Sequence, residues 1–323
     1  MAGLWISFLS DYGLDDACVG VCHGVIARHA PDARVIDISH AVLPQDVEHG
    51  AVMLAGAVGY LPRGIHLALV EPLGTDGRYV RGIAVRTADG SIIVAPDNGL
   101  ASLAWEMLGG VVEVHEIANR ELWLPMPTAV FRGRDVYAPV AARLAVGLPL
   151  EDVGPGLDPA GVVQLRPRAC SVDEDHIHGE VVDIDHFGNL ALNITRTDLE
   201  AAGIILGDPV EVRIAGRTLT LRFTHTYGEV AVGHIAVCED SLRRVMIAVN
   251  CGRAVDVLRV RRRAAIVIAH GPREPRSRSV VVRGATLAFC LYLISPGDRL
   301  AVFGADWAWC QVTLRPLTRA NVG

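Results

Sequence analysis

The sequence predicts an α/β protein: an N-terminal doubly wound, mostly parallel sheet followed by a smaller antiparallel sheet or barrel. Two observations carry this. In the first half, short apolar runs alternate with segments of helical period, the pattern of parallel strands covered on both faces. Beyond a Pro- and Gly-rich stretch at 151–169 the pattern changes to short alternating runs joined by turns. The composition permits both parts, since 51% of the 323 residues are apolar and only 20% are charged. We expect an N-terminal α/β domain over 1–165 and a second domain over 172–323.

Each element has its own signal. LWISFLS (4–10), ARVIDIS (33–39) and GIHLALVEP (64–72) are apolar runs of strand length. Between them, ACVGVCHGVIARHAP (17–31) has helical period and stops at Pro31, and the segment 44–62 opens on Pro and acids as helix N-termini do. Residues 81–99 predict a hairpin turned at Asp89-Gly90. LASLAWEMLGG and RDVYAPVAARLAVG are helices ended by glycine. In the second part, HGEVVDID (178–185), 208–223, HIAVCED (234–240) and RRVMIAVN (243–250) alternate as half-buried strands do. The Arg-dense segment 259–284 reads as a solvated loop.

Composition excludes several functions. All thirty cationic side chains are arginine, so no lysine nucleophile, Schiff base or P-loop cation exists. A net charge of -6 offers no field for nucleic acid. Seven scattered cysteines without a CxxC pair argue against disulfides or a zinc ribbon and for a reduced, cytoplasmic setting. No basic stretch followed by an apolar signal core opens the chain, and ATLAFCLYLIS (285–295) is too short to span a bilayer. We expect neither membrane nor nucleic-acid partners. His176 and His178 share one strand face without a further evident ligand, so no metal is expected there.

Polar clusters follow the strands. In SDYGLDDACVGVCHGVI, Asp11 ends the first strand, and ligands of open parallel sheets bind beyond such ends. A carboxylate there can grip a vicinal diol; alternatively Asp11 or Asp16 caps the following helix. VEPLGTDGR, PDNGL, FRGRD and DIDHFGNLALNIT occupy comparable positions.

Taken together and in this order, these motifs, with AVLPQDVEHGA, FRGRDVYAPVAARLAVGLPLEDVG and SLRRVMIAVNCGRA, resemble the S-adenosylmethionine (SAM) hydroxide adenosyltransferases, or SAM hydrolases. Their relatives are the SAM-dependent fluorinases and chlorinases. The resemblance runs from about residue 4 to about residue 258, and SPGDRLAV (295–302) is either the family's closing strand or a coincidence. It implies a C-terminal β-barrel and a homotrimer, with sites between the N-domain of one subunit and the C-domain of the next. By similarity Asp11 binds the ribose hydroxyls, Asp185 the methionine ammonium and Ser241 its carboxylate. Asn189 and the backbone near Asn250 and Cys251 meet the adenine edge, with Tyr227 stacked on the base and Phe131 near the reacting carbon. Tyr12, Asp16, Gln45, Asn98, Gly133, Phe187 and Leu242 complete the substrate-binding set. The implied reaction is hydrolysis of SAM to adenosine and methionine by displacement at C5′, which needs no metal or redox cofactor.

The departures matter. The hydrolases use an Asp-Arg-His trio; the matching residues are Glu71, Arg78 and Arg132, and Arg132 cannot act as a base because its pKa exceeds about 12. Ala191, Gln45 and Leu242 also replace family residues. The halogenases carry a tyrosine where Glu71 stands. A carboxylate about 4 Å from a halide costs about 4 kcal/mol at an effective dielectric near 20, whereas Gly133 leaves room for chloride. The alternatives are therefore a chloride adenosyltransferase or a catalytically silent SAM- or adenosine-binding protein.

Overall fold

The computed structural model describes residues 4–71, 79–166, 168–173 and 176–272, with three further strands, β16 (Val280–Val282), β17 (Leu300–Phe303) and β18 (Trp309–Val312). Arg78 and ATLAFCLYLIS lie outside the described residues.

The first sheet contains β1 (Trp5–Ser10), β2 (Arg34–Ser39), β3 (Ile65–Leu69), β4 (Gly82–Thr87), β5 (Ile92–Pro96), β6 (Val111–Glu116) and β7 (Gly156–Leu157), in the order β2-β1-β3-β5-β4-β6-β7. It is mixed. Strands β2, β1, β3 and β5 run parallel, whereas the β4–β5 hairpin and β6 and β7 add an antiparallel half. The expected hairpin explains this difference: its short turn at Asp89-Gly90 leaves no room for a crossover. Alternate side chains feed two cores. Ile6, Phe8, Leu67 and Leu69 join a cluster with α1 (Cys18–His29) and α4 (Ala138–Ala145). Leu9, Ala68 and Val70 join one with α2 (Val47–Val58) and α3 (Ser102–Met107) on the other face. The sheet is thus doubly wound, as the apolar strands require. Because β1 is flanked by β2 and β3, the strand order reverses there, and a crevice opens beyond the ends of β1 and β3.

The second sheet is antiparallel, in the order β12-β11-β15-β9-β10-β14-β13 with β8 against β9. Its strands are β8 (Ser171–Asp173), β9 (His176–Ile184), β10 (Leu190–Thr195), β11 (Pro209–Ile214), β12 (Arg217–Arg222), β13 (Ile235–Glu239), β14 (Arg244–Val249) and β15 (Ala265–His270), with α5 (Arg196–Ala201) and α6 (Ala254–Leu258) between them. A Phe223–Val237 bridge brings the two edges together, nearly closing a barrel around Ile177, Leu192, Val212, Ile247 and Ile268.

Two expectations are corrected. The Arg-dense segment is not all solvated loop: Ala265–His270 is a barrel strand paired with β9 and β11. Its apolar alternation outweighs the arginines before it. Arg262 and Arg263 instead meet Asp46 and Glu48 at the N-terminus of α2, joining the barrel to the first domain. Nor does residue 300–302 close the barrel; β17 pairs with β16 and β18 in a separate sheet.

Candidate active site

The chain leaves β1 at Ser10 and turns through Asp11, Tyr12 and Gly13. Asp11 is fixed by its own N–H donating to Leu69 O (3.3 Å) and by Gln45 N–H donating to Asp11 Oδ2 (2.8 Å). Gln45 reaches this position with φ 63°, an αL residue just ahead of the α2 N-cap Asp46. Burial is the main influence on Asp11 and raises its carboxyl above the usual range, against the lowering bond from Gln45. Asp16, not Asp11, serves the helix: it accepts from Cys18 N–H (2.8 Å) at the start of α1, and that bond holds its carboxyl low.

Beyond β3 stands Glu71. Its Oε1 accepts from Tyr137 OH (2.7 Å) and from Arg132 Nη1, which also donates to Val80 O (2.8 Å). The pair is largely withdrawn from water, with side chains 12% and 16% exposed. The Arg132 guanidinium lies over the rings of Tyr79 (5.4 Å) and Tyr137 (5.1 Å), so its position is fixed by packing as well as charge. Burial raises the Glu71 carboxyl; Arg132 and Tyr137 oppose this, and nearby Asp11 adds a smaller upward push.

Tyr12 and Phe131 close one side, edge to face at 5.6 Å, and Arg134 covers Phe131 at 5.1 Å. A π-helical turn at Gly133–Tyr137 sets Arg132, Gly133 and Tyr137 against these groups. Asn98 braces the end of β3 by donating to Val70 O (2.8 Å) while its own side chain accepts from Leu100 N–H.

A second group belongs to the barrel. Both oxygens of Asp185 accept from Asn189, from its N–H and its Nδ2 (2.8 Å each), across a turn completed by Gly188 at φ 81°. Phe187 in that turn is 70% exposed and Tyr227 is 46% exposed. Ser241 is exposed between β13 and β14, and Leu242 is packed against Gly56 of α2. Asn250 donates to Val230 O (2.7 Å), and Cys251 follows at φ 56°, exposed. Among the described residues, no hydrogen bond or ion pair joins this group to the first.

Sequence reasoning missed Tyr137 and the Val80 carbonyl, the partners that hold Glu71 and Arg132. Tyr137 lay within the quoted FRGRDVYAPV, but only the π-helical turn aims it at the site. No helix among the described residues is long and apolar enough to cross a membrane.

Such a molecule is a two-part α/β and barrel protein with an acidic, aromatic-lined cluster at a sheet switch point. Residues 6–154 match the SAM hydroxide adenosyltransferase N-terminal domain and residues 179–267 the C-terminal domain, and the chain belongs to this family. It is 46% identical over 257 residues to an (R)-S-adenosyl-L-methionine hydrolase of Salinispora tropica, covering 79% of this chain and 94% of that one. A hydrolase of the same name from Thermus thermophilus is 37% identical, over 78% and 94% of the two chains. A fluorinase of an Actinoplanes species is 33% identical, over 62% and 74%. A solved structure of an uncharacterized conserved protein from Thermotoga maritima aligns with TM-score 0.76 at 36% identity, covering 82% of this chain and all of that one.

Proposed function

We propose that this protein hydrolyses S-adenosyl-L-methionine to adenosine and L-methionine by in-line displacement at C5′. The observation that carries the reading is the Glu71–Arg132–Tyr137 cluster beside Asp11, in a chain similar to proteins named SAM hydrolases. A water oxygen attacks C5′ as the C5′–S bond breaks, methionine leaves as a neutral thioether, and the water's proton passes to Glu71. Burial favours this transfer, because a carboxylate with a raised pKa is a stronger base. Both described contacts of Glu71 fall on Oε1, which leaves Oε2 available to a water in this reading. Arg132 stabilises the ionised acid and the developing hydroxide rather than transferring a proton; Arg78 is the second cation of this set. Asp11 keeps Oδ1 for the ribose hydroxyls while Oδ2 is tied to Gln45. The two acids also suit a cationic sulfonium.

Chloride is the weaker reading: two carboxylates, Glu71 and Asp11, flank the space and repel a preformed anion, whereas a neutral water enters without that cost. The barrel residues Asp185, Phe187, Asn189, Tyr227, Ser241, Asn250 and Cys251 would bind the adenine and methionine ends from a neighbouring subunit in a homotrimer. The exposed Phe187 and Tyr227, with exposed Leu14, Met126 and Val130 near the first group, support such a seam. Domain limits of 1–165 and 172–323 and a cytoplasmic location remain part of this reading.

The test is chromatography of SAM incubated with the protein in chloride-free buffer. Adenosine and methionine in equal amounts are expected. A 5′-chloro-5′-deoxyadenosine product that appears only with chloride, or SAM binding without turnover, would refute hydrolysis.

A further inference from the structure

Three side chains that the reaction does not use converge beside the Asp11 loop. His23 on α1, Asp37 on β2 and His40 just past β2 each bring one ligand atom to within 4.8 Å of the others. His23 Nε2 is 2.9 Å from Asp37 Oδ1, and His40 Nε2 is 3.1 Å from the same oxygen. A tetrahedral ion with bonds of about 2.0 Å separates its ligand atoms by about 3.3 Å, so the two contacts to Asp37 need open by only a few tenths of an ångström, while the two imidazole nitrogens lie within 4.8 Å of each other.

A second observation points the same way. His40 is 4% exposed, and its Nε2 is buried without a hydrogen-bond partner, because the nearby Asp37 oxygen is not aligned to accept from it. Its other nitrogen is held: Nδ1 lies 2.7 Å from Ser10 Oγ. When Ser10 accepts the Nδ1 proton, as it accepts Tyr12 N–H (3.3 Å), Nε2 presents a lone pair to the carboxylate. Two acceptors that close require a positive charge between them, and a buried nitrogen left without a partner is destabilising. A histidine oriented through Nδ1 with Nε2 bare is how metal ligands are commonly held.

We propose that His23, Asp37 and His40 form a site for one first-row divalent ion of the zinc class. Two imidazoles and one carboxylate select such an ion over magnesium or calcium, and a fourth position is left for water. Buried His40 supplies the fixed ligand, and the partly exposed His23 and Asp37 supply the adjustable ones. The ion ties α1 to β2. Through Ser10, and through Gly13 N–H donating to His40 O (2.8 Å), it also steadies the loop that carries Asp11 and Tyr12. Its role is structural, outside the displacement chemistry.

The test uses full-length untagged protein stripped with chelator. Calorimetric titration with Zn²⁺ alone, thermal melting, and the visible spectrum with Co²⁺ as a geometry probe are measured on the natural protein and on His23→Ala and Asp37→Asn. These two side chains are partly exposed, so both variants should fold, as circular dichroism without metal would verify. One Zn²⁺ per chain, a higher melting temperature and a four-coordinate Co²⁺ spectrum are expected. Each ligand variant should weaken binding at least about 10-fold, and Ser10→Ala about 10- to 100-fold. Absence of saturable one-per-chain binding overturns the site, and so does binding in both ligand variants as strong as in the natural protein.

Discussion

Replacing Gly133 by alanine tests the geometry of the site with the smallest possible change. A Cβ at this position falls 2.0 Å from the Tyr12 hydroxyl, 3.0 Å from its Cζ and 3.1 Å from Leu69 Cδ1. Tyr12 cannot simply retreat, because its ring is held against Phe8 (6.4 Å) and Phe131 (5.6 Å). Two effects compete. Alanine gains about 1 kcal/mol over glycine in a helical turn. Overpacking a fixed core costs about 1–3 kcal/mol, and three simultaneous close approaches put this case at the upper end. The clash wins by about 2 kcal/mol, or about 4–8 °C in melting temperature for a domain of this size. Activity should suffer more, since displacing a positioning group by about 1 Å can cost about 10²-fold. Differential scanning fluorimetry and chromatographic turnover of SAM measure both. An alanine variant that melts no lower and turns over SAM at the natural rate would show that Tyr12 and Gly133 are not packed as described.

Other perturbations separate the remaining roles. Asp11→Ala should remove most SAM affinity by calorimetry, because the ribose loses its acceptor and Gln45 N–H its partner; unchanged affinity would leave Asp11 a loop brace only. Glu71→Gln should lower kcat about 10²- to 10⁴-fold with little change in KM. Since burial raises the Glu71 pKa, natural activity should fall as pH drops through a value above the ordinary 4.5, and Arg132→Ala should move that limb to higher pH. His66, buried and 2.7 Å from Ser7 Oγ, has its pKa lowered to about 4 from 6.5 by burial. The unfolded chain therefore takes up this proton first, so stability present above pH 6.5 should be lost as pH falls toward 4, by about 3 kcal/mol; a pH series of melts on His66→Gln should lack this slope. Light scattering should give a trimer, and a fully active monomer would end the shared-site proposal.

Much of the first domain was legible because its physics is local. Buried parallel strands must be continuously apolar, α2 begins at its N-cap Asp46, and the helices stop near a glycine or before proline, where backbone groups need other partners. The β4–β5 hairpin was legible from Asp89-Gly90, but the antiparallel half of the sheet was not, because the pairing of β6 and β7 beside it is set by tertiary contacts. The barrel strand at 265–270 was hidden by the arginines around it, because a charge run gives no sign that its neighbour completes a core. Of the candidate site, Asp11, Glu71 and Arg132 stood out by position and type. Tyr137 did not, since a tyrosine inside a helical pattern looks the same whether it packs or donates.

Sequence alone determined the type of most elements of the first domain, the absence of lysine chemistry and the ordered set of polar motifs behind the strands, because each follows from composition or from spacing along one chain. Only the tertiary structure decided which acid caps α1 and which faces the site, what holds Arg132, and that His23, Asp37 and His40 meet. Those outcomes depend on side chains from positions as far as 61 apart in the sequence, brought together by strand order and by a π-helical turn, and chain spacing carries no record of either.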